Sequence, residues 1–388
     1  MTPIVRRVSI PLLAIACACH QDGAGYRQET LDGKLHAINE GSGSWSAAEQ
    51  WRASLAWKLG AADGDGPDVF GSIAALAVDS IGQLLILDEQ AQEVRVFDRS
   101  GAFVRALGRR GAGPGEFGRA QGLNLGAQRS LWVWDPSHRR FTVFDSSGQF
   151  VRVVPRFTRG VLYPWRGEFD AGGAMIDWGI DRPDARSGDP GARVIFYPIR
   201  VDSVTGAVDT LPDLRYEADP FVPFVRGMSV HLVPDGSIWF ALTDQYTIFR
   251  RTLAGDTTLI VSLRGVEAEP VTLAEQDSVR RLYASLPIDF PRHELDAMPE
   301  AKPVIVRIFD NRSGRLLVVP RVAGHAPGSV IDVFEQASGR YLGRVWLPVT
   351  IETNPAPVAA FGSLYAMTKG PFEVPEVVRI DLLDPQRK

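Results

Sequence analysis

GDGPDVFGSIAALAVDSIGQLLILDEQAQEVRVFDRSGAFVR, residues 64–105, recurs 47 positions later as GAGPGEFGRAQGLNLGAQRSLWVWDPSHRRFTVFDSSGQFVR, residues 111–152. The second copy carries Gly64, Pro67, Phe70, Gly71, Asp88, Phe97, Asp98 and Gly101 forward as Gly111, Pro114, Phe117, Gly118, Asp135, Phe144, Asp145 and Gly148. Each copy holds several short strands, in the first LLIL, VRVFD and FVRAL. A repeat of this length and content predicts one blade of a β-propeller, a unit that buries its faces only against neighbouring blades.

The rest of the chain continues the pattern with drift. Strands are lettered A to D from the axis outward. Blade 1 takes residues 74–78, 83–87, 94–98 and 102–107, and blade 2 takes 122–125, 131–134, 141–145 and 150–154. Blade 3 includes 174–178 and 194–200, blade 4 runs over 228–263, and blade 5 uses 304–310, 316–319, 330–334 and 341–347. Blade 6 has 358–360, 363–367 and 377–382 but no fourth strand before the sequence ends. Residues 53–60, with Ala53, Leu55, Trp57 and Leu59 on one face, are expected to supply it and close the ring. Thr272-Leu273-Ala274-Glu275 is a capping box, and Val279, Leu282, Tyr283 and Leu286 make a stripe ended by Pro287, so one helix is expected between blades 4 and 5. The fold class is therefore all-β, a six-bladed propeller closed by an N-terminal strand and carrying a helical insertion.

With 388 residues, 45% of them hydrophobic and 23% charged, the chain can bury a large core. Its net charge of −4 gives no basic footprint, so no nucleic-acid partner is expected. Arg6 and Arg7 precede an apolar stretch at 8–16, and the two cysteines, Cys17 and Cys19, follow it. That order is read as a secretory signal. Ala14-Ile15-Ala16-Cys17 is similar to a bacterial lipobox, which makes Cys17 the expected lipidation site and the lipid the only expected membrane contact. Residues 1–17 are thus read as the signal peptide, 18–50, rich in Gly, Gln, Ser and Ala, as a flexible tether, and 51–388 as the propeller domain.

The run LGRRGAGPGEF at 107–117, followed by LWVWD and FTVFDSSGQFV, resembles NHL-repeat propellers, in particular the six-bladed kind of bacterial exported lipoproteins. That resemblance implies a fold and a cell-envelope setting, with no single activity. One branch of such propellers, the peptidylglycine amidating lyases, is metal-dependent and uses axial histidines. A lyase or hydrolase with an axial site is therefore the alternative to a binding module.

Site residues follow from loop placement. The D–A and B–C connections share one face, and on that face fall the long segments 181–193, 266–303, 321–329 and 368–376. Long loops retained in a compact domain are usually functional. A monomer binding a protein, small molecule or glycan at the mouth of the channel on this face is expected, with Asp135, His138, Trp178 and His325 as contributors. Asp88 and Asp135 equally suit local ties of the B–C loop to backbone. His138, His231 and His325 have no ligand spacing, so neither a metal nor another cofactor is expected.

Overall fold

The computed structural model describes residues 20–21, 25–155, 168–170, 172–181, 194–211, 215–218, 222–233, 235–286 and 295–386. Cys17, Cys19 and the loop 182–193 lie outside these residues. The strands form six sheets, and their order along the chain gives a six-bladed propeller. Blade 1 comprises Ile73–Val78, Leu84–Asp88, Glu93–Phe97 and Phe103–Leu107. Blade 2 comprises Gly122–Leu125, Leu131–Asp135, Arg140–Phe144 and Phe150–Pro155. In blade 3 the innermost strand is only Glu168–Phe169, followed by Met175–Asp181 and Val194–Val201 and then two short outer pieces, Val208–Thr210 and Tyr216–Ala218.

Repeated side chains hold the repeated blades. Asp88 accepts from the N–H groups of Gly71 (3.0 Å), Ser72 (3.3 Å), Gln90 (2.9 Å) and Ala91 (3.1 Å), fixing its own B–C loop to the incoming D–A segment. Asp135 does the same with Gly118 (2.7 Å), Arg119 (3.1 Å), Ser137 (3.1 Å) and His138 (3.4 Å). Asp98 and Asp145 pin their C–D turns by bonds from Ser100 and Ala102, and from Ser147 and Gln149. Phe70 and Phe117 leave the glycine-rich D–A segments to fill the gaps between blades 6 and 1 and between blades 1 and 2, each meeting a ring of the following blade edge-on, Phe97 and Phe144. Gly108, at φ +80, is where this insertion needs a missing side chain, because a Cβ there would overlap the Phe117 ring.

Ring closure follows the sequence expectation. Arg52–Leu59 pairs antiparallel with Pro375–Leu383 as the outer strand of blade 6, beside Ser363–Lys369 and Val358–Ala360. The single expected face is corrected. Arg379 pairs with Trp57 but Ile380 pairs with Leu55, so Ala56 is an extra residue and the alternation changes sides there. Ala53 packs toward blade 5, Trp57 and Leu59 pack toward blade 1, and Leu55 is 40% exposed. Comparable bulges fall between the C and D strands of blades 1, 2, 4 and 5.

The flexible tether is also corrected. Tyr26–Leu31 and Lys34–Asn39 form a hairpin, and its second strand adds in parallel to Thr257–Leu263, the outer strand of blade 4. Buried Asn39 then joins blades 4 and 5: its side chain donates to the carbonyls of Ser262 (3.1 Å) and Gly339 (3.0 Å) and accepts from the Tyr341 N–H (2.7 Å). The N–H groups of Ser44 and Trp45 bond the Tyr341 and Leu342 carbonyls, and Gln50 donates to the Arg344 carbonyl (2.6 Å). Residues 26–59 therefore form a strap over the rims of blades 4, 5 and 6.

The expected helix is present as Leu273–Ser285 with its capping box intact, yet none of its residues is buried. Among the described residues no helix is long and apolar enough to cross a membrane.

Candidate functional site

The A strands surround a cavity of about 250 Å³ on the propeller axis. All six blades line it, through Ala75, Gly122, Trp178, Val230, Arg307 and, in the segment entering blade 6, Pro355. Its wall includes residues at or just before the starts of several A strands (Ala74, Gln121, Met228) and the D–A segment Asn354, Pro355, Ala356 and Pro357, so it lies toward the face that carries the D–A connections. A second cavity of about 560 Å³ occupies the other end, among the A–B turns, and is lined by Asp170, Asp235, Asp310 and Arg312.

Two polar contacts make the floor between them. The Arg312 guanidinium, from the A–B turn of blade 5, lies 3.5 Å from the Glu168 carboxylate of blade 3 and 3.4 Å from the Val78 carbonyl of blade 1. His231 Nε2, on the A strand of blade 4, lies 3.0 Å from Asp310 Oδ1 at the end of the A strand of blade 5. Burial pushes the Asp310 carboxyl up, but the His231 contact, with Gln336 and Arg312 nearby, outweighs that and holds it below its ordinary value.

Arg307 differs from these groups. It lies on the A strand of blade 5, Ile305–Asp310, where a bulge at Val306 sets Arg307 opposite Val319. The same bulge in blade 1 falls at Ala74, so the corresponding residue there is Ala75. Among the described residues Arg307 has no hydrogen-bond or ion-pair partner, its Nε is buried without one, and burial alone pushes its pKa down. A partly buried, uncompensated guanidinium therefore lines a chamber of mixed apolar and polar wall.

Of the residues expected from sequence, Trp178 lines the cavity and is 4% exposed. Asp135, fully buried, is occupied by its loop, and His138 Nδ1 bonds its carboxylate at 2.7 Å. Burial would raise the Asp135 pKa, but the bonds from Gly118, Ser137, His138 and Arg119 outweigh it and hold the carboxyl low. His325 is exposed on the loop after Arg315–Pro320, its ring 4.7 Å from that of Trp346. Asp135, His138 and His325 do not line the axial cavity. B–C loops begin one strand outward of the axis, and the loops carrying Asp135, His138 and His325 turn to their own backbone and neighbours instead. The D–A segment 354–357 does reach the cavity. His138, His231 and His325 each have a separate partner, and among the described residues no three His, Cys, Asp or Glu side chains converge as a metal site would require. The 368–376 loop is also shorter than expected, because the strands extend to Lys369 and resume at Pro375.

Sequence reasoning missed Arg307. The signal was present as one charge inside IVRIFD, an innermost strand whose inward side chains have only the axis to face.

A family model described as a 6-bladed beta-propeller matches residues 69–154. No curated protein matches the chain. Among solved structures, the chain is similar to a protein from Bacteroides fragilis described as exported, at 13% identity over 89% of this chain and 98% of that one, with a TM-score of 0.50. A virginiamycin B lyase from Staphylococcus aureus aligns at 12% identity over 86% of this chain and 100% of that one, with a TM-score of 0.42. A gluconolactonase from Xanthomonas campestris aligns at 16% identity over 80% and 86%, with a TM-score of 0.44. At such identities the likeness speaks for the fold alone. The strand order and the family model together make this chain a six-bladed β-propeller.

Proposed function

We propose that the protein is an exported, lipid-anchored binding module that takes a small molecule or a terminal glycan unit in its axial cavity. The observation that carries this reading is one chamber of about 250 Å³ lined by all six blades and floored by side chains already paired with one another. A concave, mostly apolar pocket with few polar groups is the usual form of a small-molecule site. Binding is favoured over catalysis because Glu168 and His231, the other ionisable groups on the wall, are engaged by Arg312 and Asp310. Export rests on the basic and apolar order of residues 6–16 and agrees with the description of the Bacteroides fragilis relative; the anchor rests on Cys17.

A thermal-shift screen of the purified domain against metabolites and short glycans tests the site, with Ala75→Phe as the cavity-filling control. A hit that Ala75→Phe abolishes supports it, and hits indifferent to that change place binding elsewhere. Cys17→Ala should move the protein from the membrane fraction to the soluble one, and retention in membranes would remove the anchor from this reading.

A further inference from the structure

We propose that the axial cavity recognises an organic carboxylate, with the Arg307 guanidinium as the group that binds its charge and the apolar wall as the seat for its carbon skeleton. This rests on the cavity being the binding site. An unpaired charge removed from water is strongly unfavourable unless it is compensated, so buried guanidinium groups are normally paired within the fold. Even the partly exposed Arg95, Arg129, Arg344 and Arg379 are paired, to Asp88, Asp79, Asp332 and Asp381. Arg307 has no such partner, and its Nε is orphaned. Glu168, the carboxylate on the same wall, is held by Arg312.

The charge therefore lies on the chamber wall with no side chain among the described residues to answer it. A guanidinium presents a planar fork that matches a carboxylate or phosphate in two parallel hydrogen bonds. What selects the carboxylate of an organic acid is the rest of the wall: Trp178, Met228, Val230, Pro355 and Pro357 offer carbon surface, and among the described residues no Lys or Arg besides Arg307 lines it to hold a polyanion.

The test uses sodium benzoate, its neutral isostere benzamide and inorganic phosphate on the intact domain, with Arg307→Met and Arg307→Gln. Removing the unanswered charge should raise the ligand-free Tm by about 2 °C or more in at least one variant. Benzoate should raise the Tm of the wild type in a concentration-dependent way and lose at least tenfold in affinity in both variants. Benzamide should bind no better to the wild type than to the variants. Variants that lower the Tm of the ligand-free protein would mean that Arg307 serves the fold, and would overturn the inference. So would benzoate acting on wild type and variants alike or on neither, or phosphate binding more tightly than benzoate. A ligand lost in Ala75→Phe but retained in Arg307→Met would leave the binding-module reading standing while the anion inference falls.

Discussion

The Tyr246 hydroxyl donates to Asp332 Oδ2 at 2.7 Å, joining the B–C loop of blade 4 to the C strand of blade 5 through a fully buried carboxylate. Asp332 also accepts from the Tyr341 hydroxyl at 2.9 Å and from Arg344 at 2.8 and 3.0 Å. Burial first, and then the Asp332 charge, push the Tyr246 pKa well up, so the phenol remains a donor. Every oxygen lone pair has a use, and the carboxylate's own charge is balanced by Arg344.

Asp332→Ala should be among the most damaging single changes in the molecule, because it strands a half-buried guanidinium and two buried phenols. A loss of about 3–5 kcal/mol is expected, with Tyr246→Phe losing only about 1–2. Urea unfolding measures both, and a midpoint shift for Asp332→Ala no larger than that for Tyr246→Phe would contradict the network.

The closing strand gives a sharper test through its bulge. Leu59→Ser removes a side chain packed toward blade 1 and should cost about 2 kcal/mol, whereas Leu55→Ser, at a 40% exposed position, should stay within about 0.5 kcal/mol. Equal losses at the two positions would restore a single buried face and remove the bulge at Ala56.

Asn39→Ala separates a strap from a tether. Three hydrogen bonds to backbone groups of blades 4 and 5 disappear with that side chain, at a cost of about 2–3 kcal/mol, and protease sensitivity within residues 26–45 should rise with it. A tether would show cleavage in the wild type and no change in Tm.

Glu275 provides a pH signature. Its carboxyl is lowered from 4.5 to about 2 by the Lys302 contact and then by the Thr272 N–H and hydroxyl of the capping box. The depressed value means that the carboxylate's support for the helix is complete above about 4.5 and is lost as pH falls through about 2. Carboxyl-carbon NMR titration of Glu275 should show that low midpoint, and Lys302→Ala should raise it. A midpoint at the ordinary value in the wild type would mean that the contact does not form.

The parts of this fold that can be read from sequence are those held by local ties. Asp88 and Asp135 bond loops 16 or 17 residues away, so their spacing carries the blade with it. The closing strand could be placed because blade 6 lacked one and residues 52–59 alternate. The strap could not, since Lys34–Asn39 pairs with Thr257–Leu263, far along the chain, and its own pattern is no stronger than a loop's. The side change at Ala56 depends on the register of Arg379 and Ile380, which the strand itself does not encode. Trp178 is legible from its strand, which ends at a long loop, whereas Arg307 lies on an innermost strand, where loop length carries no signal.

The strap also determines how the ring would respond to force. Its strand Lys34–Asn39 lies parallel to the edge of blade 4, and the chain then crosses blade 5 before entering blade 6. A load applied at the N-terminal end reaches the hairpin first, and the Asn39 bonds couple it to two blades at once. The closing strand of blade 6 lies last in that line, so a propeller held by this end would resist being unzipped at the seam where its ring is joined.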